Sequence, residues 1–218
     1  MTDIRLSRKR LLNQEKKEEF NFIDFLLIFL LVIMIVNILV QTYVLSPVKV
    51  DGNSMKLTLN DQDWLFMNKL EKPERGDVVV FAKTSSVNYI KRIIALEGDE
   101  LYADADGIHL KKNGETEWEI IDDNHAYYYQ NPHHSTPDPT HTVIPRIKVA
   151  EGEMFVLGDN RNDSADSRTI GTVKIDSILG VVPEWAIKYR SKYSGYLNFV
   201  EKVNEGFEKI KKRLSRYE

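Results

Sequence analysis

The hydrophobic positions of the chain are concentrated in one long run, residues 25–45 (FLLIFLLVIMIVNILVQTYVL). A helix of this length rises about 31 Å, close to the thickness of the hydrocarbon part of a bilayer. A cleaved targeting sequence has a shorter apolar region and a small-x-small cleavage site, which residues 41–47 do not contain. A buried core helix is usually shorter and has a polar stripe. The pattern therefore predicts an uncleaved transmembrane anchor, residues 22–45, which Pro47 terminates.

Basic residues are unevenly distributed about this predicted anchor. Six precede it, whereas only Lys49 and Lys56 occur in the twenty residues that follow Leu45. Segments rich in lysine and arginine stay in the cytoplasm. We therefore expect residues 1–21 to be a cytoplasmic basic segment, and the rest of the chain to be extracytoplasmic. The chain would cross the cell membrane once, and the lipid bilayer would be one of its partners.

Beyond the anchor, the pattern changes to short apolar runs, often β-branched, that turn residues separate. No stretch between residues 46 and 190 keeps the 3.6-residue period of a helix. The predicted strands are residues 48–50, 63–68, 77–82, 88–96, 107–112, 153–157 and 178–182. The pattern predicts a mainly β domain, a folded sheet or barrel, whose core comprises residues 46–99 and 149–190.

Residues 100–148 differ from this core in texture. They contain three consecutive tyrosines, three prolines between positions 132 and 139, and the histidines of the chain. Asn113-Gly114 is the dipeptide most typical of a type I′ hairpin. We therefore expect a small inserted subdomain formed by a hairpin and a long irregular loop.

The last segment, residues 191–218, has apolar residues at alternating intervals of three and four positions. They are Val200, Val203, Phe207, Ile210 and Leu214. This spacing predicts a C-terminal amphipathic helix, and basic residues cluster near its end. Two interpretations stay open: the helix packs on the domain or on a partner, or it lies on the outer membrane surface.

Composition narrows the chemistry. The net charge of -3 gives no overall indication of nucleic-acid binding, and the mean hydropathy of -0.37 excludes a polytopic membrane protein. The chain has no cysteine, which excludes disulfides, thiolate metal sites and a thiol nucleophile. His133, His134 and His141 could bind zinc, but histidines without carboxylate or cysteine spacing are more often part of a solvated loop. We therefore predict no metal and no cofactor.

Two residues are candidates for nucleophilic chemistry. Ser54 follows the turn sequence Asp51-Gly52-Asn53 directly after a predicted strand, although many surface serines have the same setting. A serine hydroxyl needs a base, and no histidine has the expected setting of an apolar strand and an aspartate. In the strand at residues 88–96, Lys91 shares a face with apolar side chains. Such a lysine is either a gatekeeper on an edge strand or a base with a perturbed pKa, and the residues alone favour the gatekeeper.

A third element is the polar loop at residues 158–168 (GDNRNDSADSR). Arg161 breaks the alternation of acidic and amide ligands that a calcium loop requires. The loop is either a solvated surface segment or a cluster of ion pairs and hydrogen bonds that organises a site.

Together these elements resemble the type I signal peptidases, the serine–lysine proteases that remove signal peptides from exported preproteins. The resemblance extends over residues 22–190 and is closest to the Gram-positive form with a single anchor. Four blocks occur in the family's order, and this makes the match specific. They are residues 53–59 (NSMKLTL), 75–81 (RGDVVVF), 89–99 (YIKRIIALEGD) and 158–173 (GDNRNDSADSRTIGTV).

The resemblance implies a signal-peptidase-like catalytic core in which Ser54 is the nucleophile and Lys91 the general base. It implies supporting roles for Ser164 as a hydrogen-bond partner of the Lys91 amine, for Asp159 paired with Arg92, for Asp166 paired with Arg168, and for Met55 beside the cleft. The expected substrates are preprotein signal peptides with small residues at the first and third positions before the cut. The secretion machinery is a further expected partner.

Two positions depart from the family pattern. Leu57 stands where the nucleophile block usually has proline, and the absence of this proline is expected to loosen the turn. Gly52 stands where some members have a hydroxyl residue that assists the oxyanion hole, so the second oxyanion donor is left open. An alternative function is a membrane-anchored binding or assembly protein on the same scaffold. A third interpretation is a self-cleaving repressor with the same chemistry, but the predicted export of the domain argues against it.

Overall fold

The computed structural model describes residues 21–127 and 143–214. Helix α1 comprises Phe22–Tyr43, and none of its residues is buried. Asn21 and Asp24 exchange hydrogen bonds between side chain and backbone N–H at 3.0 and 3.1 Å, a reciprocal cap at the first turn. Within the described part of the chain, this is the one helix that is long and apolar enough to cross a membrane. The chain divides into two compact units between Thr42 and Tyr43, so the last residue of this helix belongs to the second unit.

Helix α1 ends two residues before the predicted boundary at residue 45, because Leu45 already belongs to strand β1, Leu45–Lys49. Pro47 therefore does not terminate the helix but lies inside a strand, opposite Phe66. Strand β1 is at the edge of its sheet, the position at which a strand tolerates a residue without an N–H.

The larger sheet has seven strands and curls into a half-barrel. Its other members are β2 Trp64–Asn68, β3 Val78–Ala82, β4 Asn88–Leu96, β9 Glu153–Leu157, β10 Val173–Lys174 and β11 Ile178–Val182. The order β1-β2-β11-β3-β4-β9-β10 places β4 inside the sheet, antiparallel to both neighbours. The mainly β fold predicted from the sequence is confirmed.

The smaller sheet has four strands in the order β7-β6-β5-β8: β5 Glu100–Asp104, β6 Gly107–Lys111, β7 Glu119–Ile120 and β8 Ile144–Lys148. The sequence predicted only a hairpin and an irregular loop here. The tight turn joins β5 to β6, whereas Asn113-Gly114 lies in the longer connection to β7. There the Asn113 N–H donates to Asp99 at 2.8 Å. Residues 128–142, with the three histidines considered for zinc, lie outside the described residues.

Three clusters of buried apolar side chains hold the sheets together. The first lies between the two sheets and includes Phe155 and Leu101, and the second includes Val79 and Phe81. The third lies beneath the turn that follows β1 and includes Met55, Leu59 and Leu65. Full burial of a side chain of this size contributes about 1.5–3 kcal/mol, so this turn is anchored from below.

The helices of the main unit are short until its end: α2 Ser167–Ile170, α3 Glu184–Lys188 and α4 Arg190–Leu214. Polar residues of α4 contact the edge of the larger sheet. Arg190 pairs with Asp63 at 3.0 Å, Asn198 accepts from Trp64 Nε1 at 2.8 Å, and Glu201 pairs with Lys49 at 2.8 Å. These contacts agree with the interpretation that the helix packs on the domain. The apolar side chains named for α4, and the N-terminal basic segment apart from Asn21, lie outside what the structure describes.

Candidate functional site

The turn that carries Ser54 is built on buried residues on either side. The Val50 side chain is buried before it, and Met55 and Leu59, 1% and 0% exposed, follow it. The Leu59 N–H donates to Met55 O at 2.8 Å and closes the turn. Gly52 has a positive φ of 95° and donates its N–H to Asp61 at 2.8 Å. Ser54 is thereby held on a firmly anchored loop next to strand β4.

Lys91 lies in the interior strand β4 and is only 3% exposed. Its Nζ donates to Ser54 Oγ at 2.7 Å and to the Ile90 carbonyl at 2.9 Å, and it lies 5.0 Å from the centre of the Tyr89 ring. The gatekeeper interpretation is wrong, because a gatekeeper lysine projects from an exposed edge. The structure therefore joins the two candidate residues that lie 37 positions apart.

Burial lowers the pKa of Lys91 from its ordinary value of 10.5 to about 8. The carboxylates of Asp166 and Asp159 oppose this shift, and the positive charge of Lys83 adds to it. At pH 7 about one tenth of the amine is then neutral, against fewer than one in a thousand for an exposed lysine. The geometry and the pKa both suit Lys91 to accept a proton from Ser54.

Two bidentate ion pairs flank this site, as the family resemblance implies. Arg92 binds Asp159 through Nε at 2.9 Å and Nη2 at 2.6 Å, and Thr58 Oγ1 donates to the same carboxylate at 2.5 Å. Arg168 binds Asp166 through Nε and Nη2, both at 2.8 Å. Burial of Asp166 raises its pKa, but hydrogen bonds from Arg168 and the Gly158 N–H hold the pKa below its ordinary value.

Ser164 is placed near the site without the expected contact. Its Oγ is buried and has no hydrogen-bond partner at ordinary distance among the described residues, although it lies close enough to Asp166 to help lower that pKa. The structure does not show a hydrogen bond from Ser164 to the Lys91 amine, and its orienting role stays a prediction. A Cβ added to Gly158 would lie 2.2 Å from Ser164 Oγ and 2.5 Å from Ser54 O. This glycine is what allows the two loops to approach.

Sequence reasoning missed Asn160, which joins the two loops. Its N–H donates to Ser54 O at 2.9 Å, and its Nδ2 donates to Asn53 O at 3.1 Å. It also missed the role of Arg161, whose buried guanidinium pairs with Asp123 in the segment after β7. The only signal in the sequence was the density of polar residues at positions 158–168, which indicates a hydrogen-bonded cluster but not its partners.

The Ser54 N–H is a backbone donor that a substrate could use. The Ser54 N–H donates to no group in the described ranges 21–127 and 143–214, whereas the Gly52 N–H is taken up by Asp61. Ser54 and Lys91 open into a cleft of about 350 Å³, whose lining also includes Met55, Val80 and Tyr89. Among the described residues, no group of three histidine or acidic side chains is arranged to hold a metal ion.

Comparison with known proteins defines the class. The model of the family described as signal peptidase, peptidase S26, matches residues 22–185, and the chain belongs to this family. It is similar to the signal peptidase I P of Bacillus subtilis subsp. natto, with 34% identity over 175 residues, 78% of this chain and 91% of the relative. It is also 30% identical to the signal peptidase I S of Bacillus subtilis (strain 168), over 80% of this chain and 90% of the relative.

A solved structure also matches, a signal peptidase I from Enterococcus faecalis V583. It has a TM-score of 0.41 and 27% sequence identity, and the match covers 52% of this chain and 98% of that one. The relatives and the family model together make the chain a serine-type peptidase of the signal peptidase family. The recognition made from the four sequence blocks is confirmed.

Proposed function

We propose that this protein is a membrane-anchored endopeptidase that cleaves signal peptides from exported preproteins, with Ser54 as nucleophile and Lys91 as general base. The observation that carries the proposal is the 2.7 Å hydrogen bond between Lys91 Nζ and Ser54 Oγ. The lysine of this pair is buried and its pKa is lowered. Membership of the signal peptidase family supplies the reaction.

In the first step, the neutral Lys91 amine takes the hydroxyl proton of Ser54 while Oγ attacks the scissile carbonyl carbon. The negative charge that develops on the carbonyl oxygen is stabilised by the Ser54 N–H. The intermediate collapses when the Lys91 ammonium returns its proton to the leaving amine. The products are an acyl-enzyme ester on Ser54 and the free N-terminus of the mature protein.

In the second step, a water molecule hydrolyses the ester. Lys91, neutral again, takes a proton from the water, and the hydroxyl attacks the same carbonyl carbon. Collapse of this intermediate breaks the ester bond, and the proton held by Lys91 returns to Ser54 Oγ. The signal peptide leaves with a new carboxyl group, and the site is restored.

The surroundings of Lys91 support this use of one amine in both steps. The hydrogen bond to the Ile90 carbonyl fixes the direction of the amine. The pairs Arg92–Asp159 and Arg168–Asp166 neutralise the buried charges on either side. Their carboxylates still favour the ammonium form enough to hold the pKa at about 8, near the pH at which the enzyme would work.

We further infer that helix α1 holds this site at the outer face of a membrane. Support comes from the length and apolar character of the helix and from the six basic residues before it. Confinement of enzyme and substrate to one surface raises their effective concentration. The preference for small residues before the cut rests on the family resemblance.

The test is cleavage of a purified preprotein by the full chain in detergent. Wild-type protein should release the signal peptide, whereas Ser54→Ala and Lys91→Ala should reduce cleavage by at least about a thousandfold. The exposed residues Ser85 and Lys148 provide matched controls, and Ser85→Ala and Lys148→Ala should keep full activity. Activity retained by a folded Lys91→Ala protein would exclude the lysine as base.

The same assay decides the alternative of a binding or assembly protein. Such a protein would bind the preprotein and leave it uncut, with the fold intact by circular dichroism. The hydrogen bond between Ser54 and the buried Lys91 does not favour this alternative, because both groups needed for cleavage are in place.

A further inference from the structure

The inserted segment contacts the site through a strap, which we define as residues 122–127. At its end, the Tyr127 N–H donates to Asp159 O at 2.6 Å, and Tyr127 O accepts from the Arg161 N–H at 3.0 Å. Tyr127 and Asn160 thus form a parallel β-bridge. The strap thus adds one strand-like contact to the loop that carries Asn160. This contact has no part in the two steps proposed for cleavage.

A buried ion pair fastens the same strap. The Arg161 side chain is 1% exposed and Asp123 is 12% exposed, and both terminal nitrogens of Arg161 donate to the Asp123 carboxylate. The remaining Nε donates to Gly158 O at 3.0 Å. A buried guanidinium without its partner is strongly unfavourable. The geometry of residues 158–161 therefore depends on Asp123.

Asn160 lies between these two contacts and hydrogen-bonds to the loop that carries Ser54. Its Nδ2 donates at 3.1 Å to the carbonyl oxygen of Asn53, which also accepts from the Lys56 N–H at 3.0 Å. That carbonyl belongs to the same peptide group as the Ser54 N–H. Because a trans peptide is planar, with C=O and N–H pointing in opposite directions, fixing Asn53 O also fixes the direction of the Ser54 N–H.

We propose that the Asp123–Arg161 pair is a clamp by which the inserted segment positions the Asn53–Ser54 peptide group, through Asn160, as the oxyanion donor. Asp123, Asn160 and Arg161 are then positioning residues. This inference rests on the proposed function, because it assigns the Ser54 N–H to the reacting carbonyl. It makes the insertion a working part of the site.

The proposal predicts a specific kinetic change. An oxyanion donor contributes about 10²–10³-fold to kcat, so a misaligned one should cost part of this. Asp123→Asn should lower kcat about tenfold while KM stays within twofold, and Asn160→Leu, which removes the side-chain donor to Asn53 O without adding a charge, should lower kcat further. The pH midpoint of cleavage should not move, because Lys91 is untouched. Asp123→Glu, which keeps the charge, should recover most of the rate.

A matched control is available in the same subdomain. Glu100 pairs with the largely exposed Arg146 and with Lys111, away from the strap, and Glu100→Gln should leave kcat unchanged. Rates are expressed per active site, titrated with an acylating inhibitor, so that a smaller folded fraction does not imitate the effect. A wild-type kcat in Asp123→Asn, or an equal loss in Glu100→Gln, would overturn the clamp.

Hydrogen exchange of the full chain provides a readout that does not need cleavage. Asp123→Asn should exchange the backbone amides of Tyr127, Asn160 and Arg161 at least tenfold faster than wild type, and Glu100→Gln should not. Unchanged protection of these amides would contradict the clamp even if kcat fell. Conversely, if wild-type protein fails to cut preproteins while Asp123→Asn still exchanges these amides faster, the proposed function is refuted and the structural link from Asp123 to the Asn53–Ser54 peptide group still stands.

Discussion

The environment of Lys91 balances two opposing effects on one amine. Removal from water disfavours the ammonium form, and the nearby carboxylates of Asp159 and Asp166 favour it, with a resulting pKa of about 8. The difference from 10.5 corresponds to about 3 kcal/mol. Because the pKa is lowered on folding, the unfolded chain binds more protons between pH 8 and 10.5. Burial of Lys91 therefore destabilises the folded protein most below pH 8, and its stability rises through this interval.

The same balance predicts the pH dependence of cleavage. Since only neutral Lys91 accepts the Ser54 proton, kcat/KM should rise about tenfold per pH unit below the midpoint and level off above pH of about 8. The measurement is kcat/KM for a preprotein in detergent from roughly two pH units below the midpoint to roughly two above it, about pH 6 to 10. A midpoint near 6.5 would indicate a histidine base instead and contradict the assignment.

Leu57 has an unusual backbone conformation for a residue with a side chain. Its φ is 81°, which proline cannot adopt, and its side chain is 55% exposed. The expectation that loss of the family's proline simply loosens the turn is therefore incomplete, because the turn has a different conformation at this position. A leucine with positive φ costs about 1 kcal/mol relative to glycine.

Substitutions at position 57 should separate strain from activity. Leu57→Gly should raise the melting temperature by about 2–4 °C and keep cleavage, because it relieves the strain and removes little buried surface. Leu57→Pro should lower both, since the turn that holds Ser54 must rearrange. Thermal unfolding by circular dichroism and the cleavage assay check the pair. A Leu57→Gly protein that melts below wild type would show that the side chain stabilises the turn.

At the scale of the elements, the site depends on close approach of the loop after β1 and the loop after β9. Gly158, directly after β9, is where this approach is tightest, because a Cβ added there would have neighbouring atoms at only 2.2–2.6 Å. One of these atoms belongs to the Ser54 backbone, which has no flexible end that could move aside. The glycine is required here by contact and not by a positive φ.

This contact predicts opposite outcomes for two alanine substitutions. Gly158→Ala should destabilise the protein by about 1–3 kcal/mol and reduce kcat, because the two loops must separate. Gly195→Ala, in the exposed part of α4 with no described atom within 4 Å of an added Cβ, should stabilise by about 0.5–1 kcal/mol and leave cleavage unchanged. Chemical denaturation and the cleavage assay measure both. Wild-type activity in Gly158→Ala would mean that the loops tolerate separation.

The sequence predicted elements best where the local pattern was strong. Residues 88–96 of β4, dense in β-branched side chains, and residues 153–157 of β9 were predicted with their observed bounds. The strand content of residues 100–148 was underestimated because β8 contains Pro145 and β7 has only two residues. The pairing of Ser54 with Lys91 was reached through family resemblance, since strand periodicity alone could not distinguish an interior strand from an edge. Asn160 could not be assigned, because its partners are backbone atoms far along the chain.

At the scale of the whole molecule, the chain divides into two units, residues 1–42 and residues 43–218. The first contains nearly all of the apolar helix and the second contains both sheets. The helix that could cross a membrane and the sheets that carry the candidate site are therefore separate parts of the sequence. The division of residues 43–218 into a core and an inserted subdomain, as drawn from the sequence, stays a prediction.

The proposed orientation across the membrane can be measured directly, because the chain has no cysteine of its own. Single cysteines at Asn13 and at the exposed residue Glu151 would report on the two sides. In intact cells, a membrane-impermeant maleimide should label Glu151→Cys at once, and Asn13→Cys only after lysis. The reverse pattern would mean that the site faces the cytoplasm.

Strand β4 carries two cations side by side, Lys91 towards Ser54 and Arg92 towards Asp159, in a register fixed by pairing of Lys91 with Val79. Successive residues of a strand point to opposite faces. A slip of one residue in one direction would therefore place the Arg92 guanidinium beside the serine and Ile93 in the place of Arg92. Arginine stays protonated at any physiological pH, so the shifted site would still hold a cation beside the serine but could not accept a proton. The reactivity of this site therefore depends on the register of β4. A single residue inserted or deleted in the strand before Lys91 would inactivate the protein without removing any catalytic group.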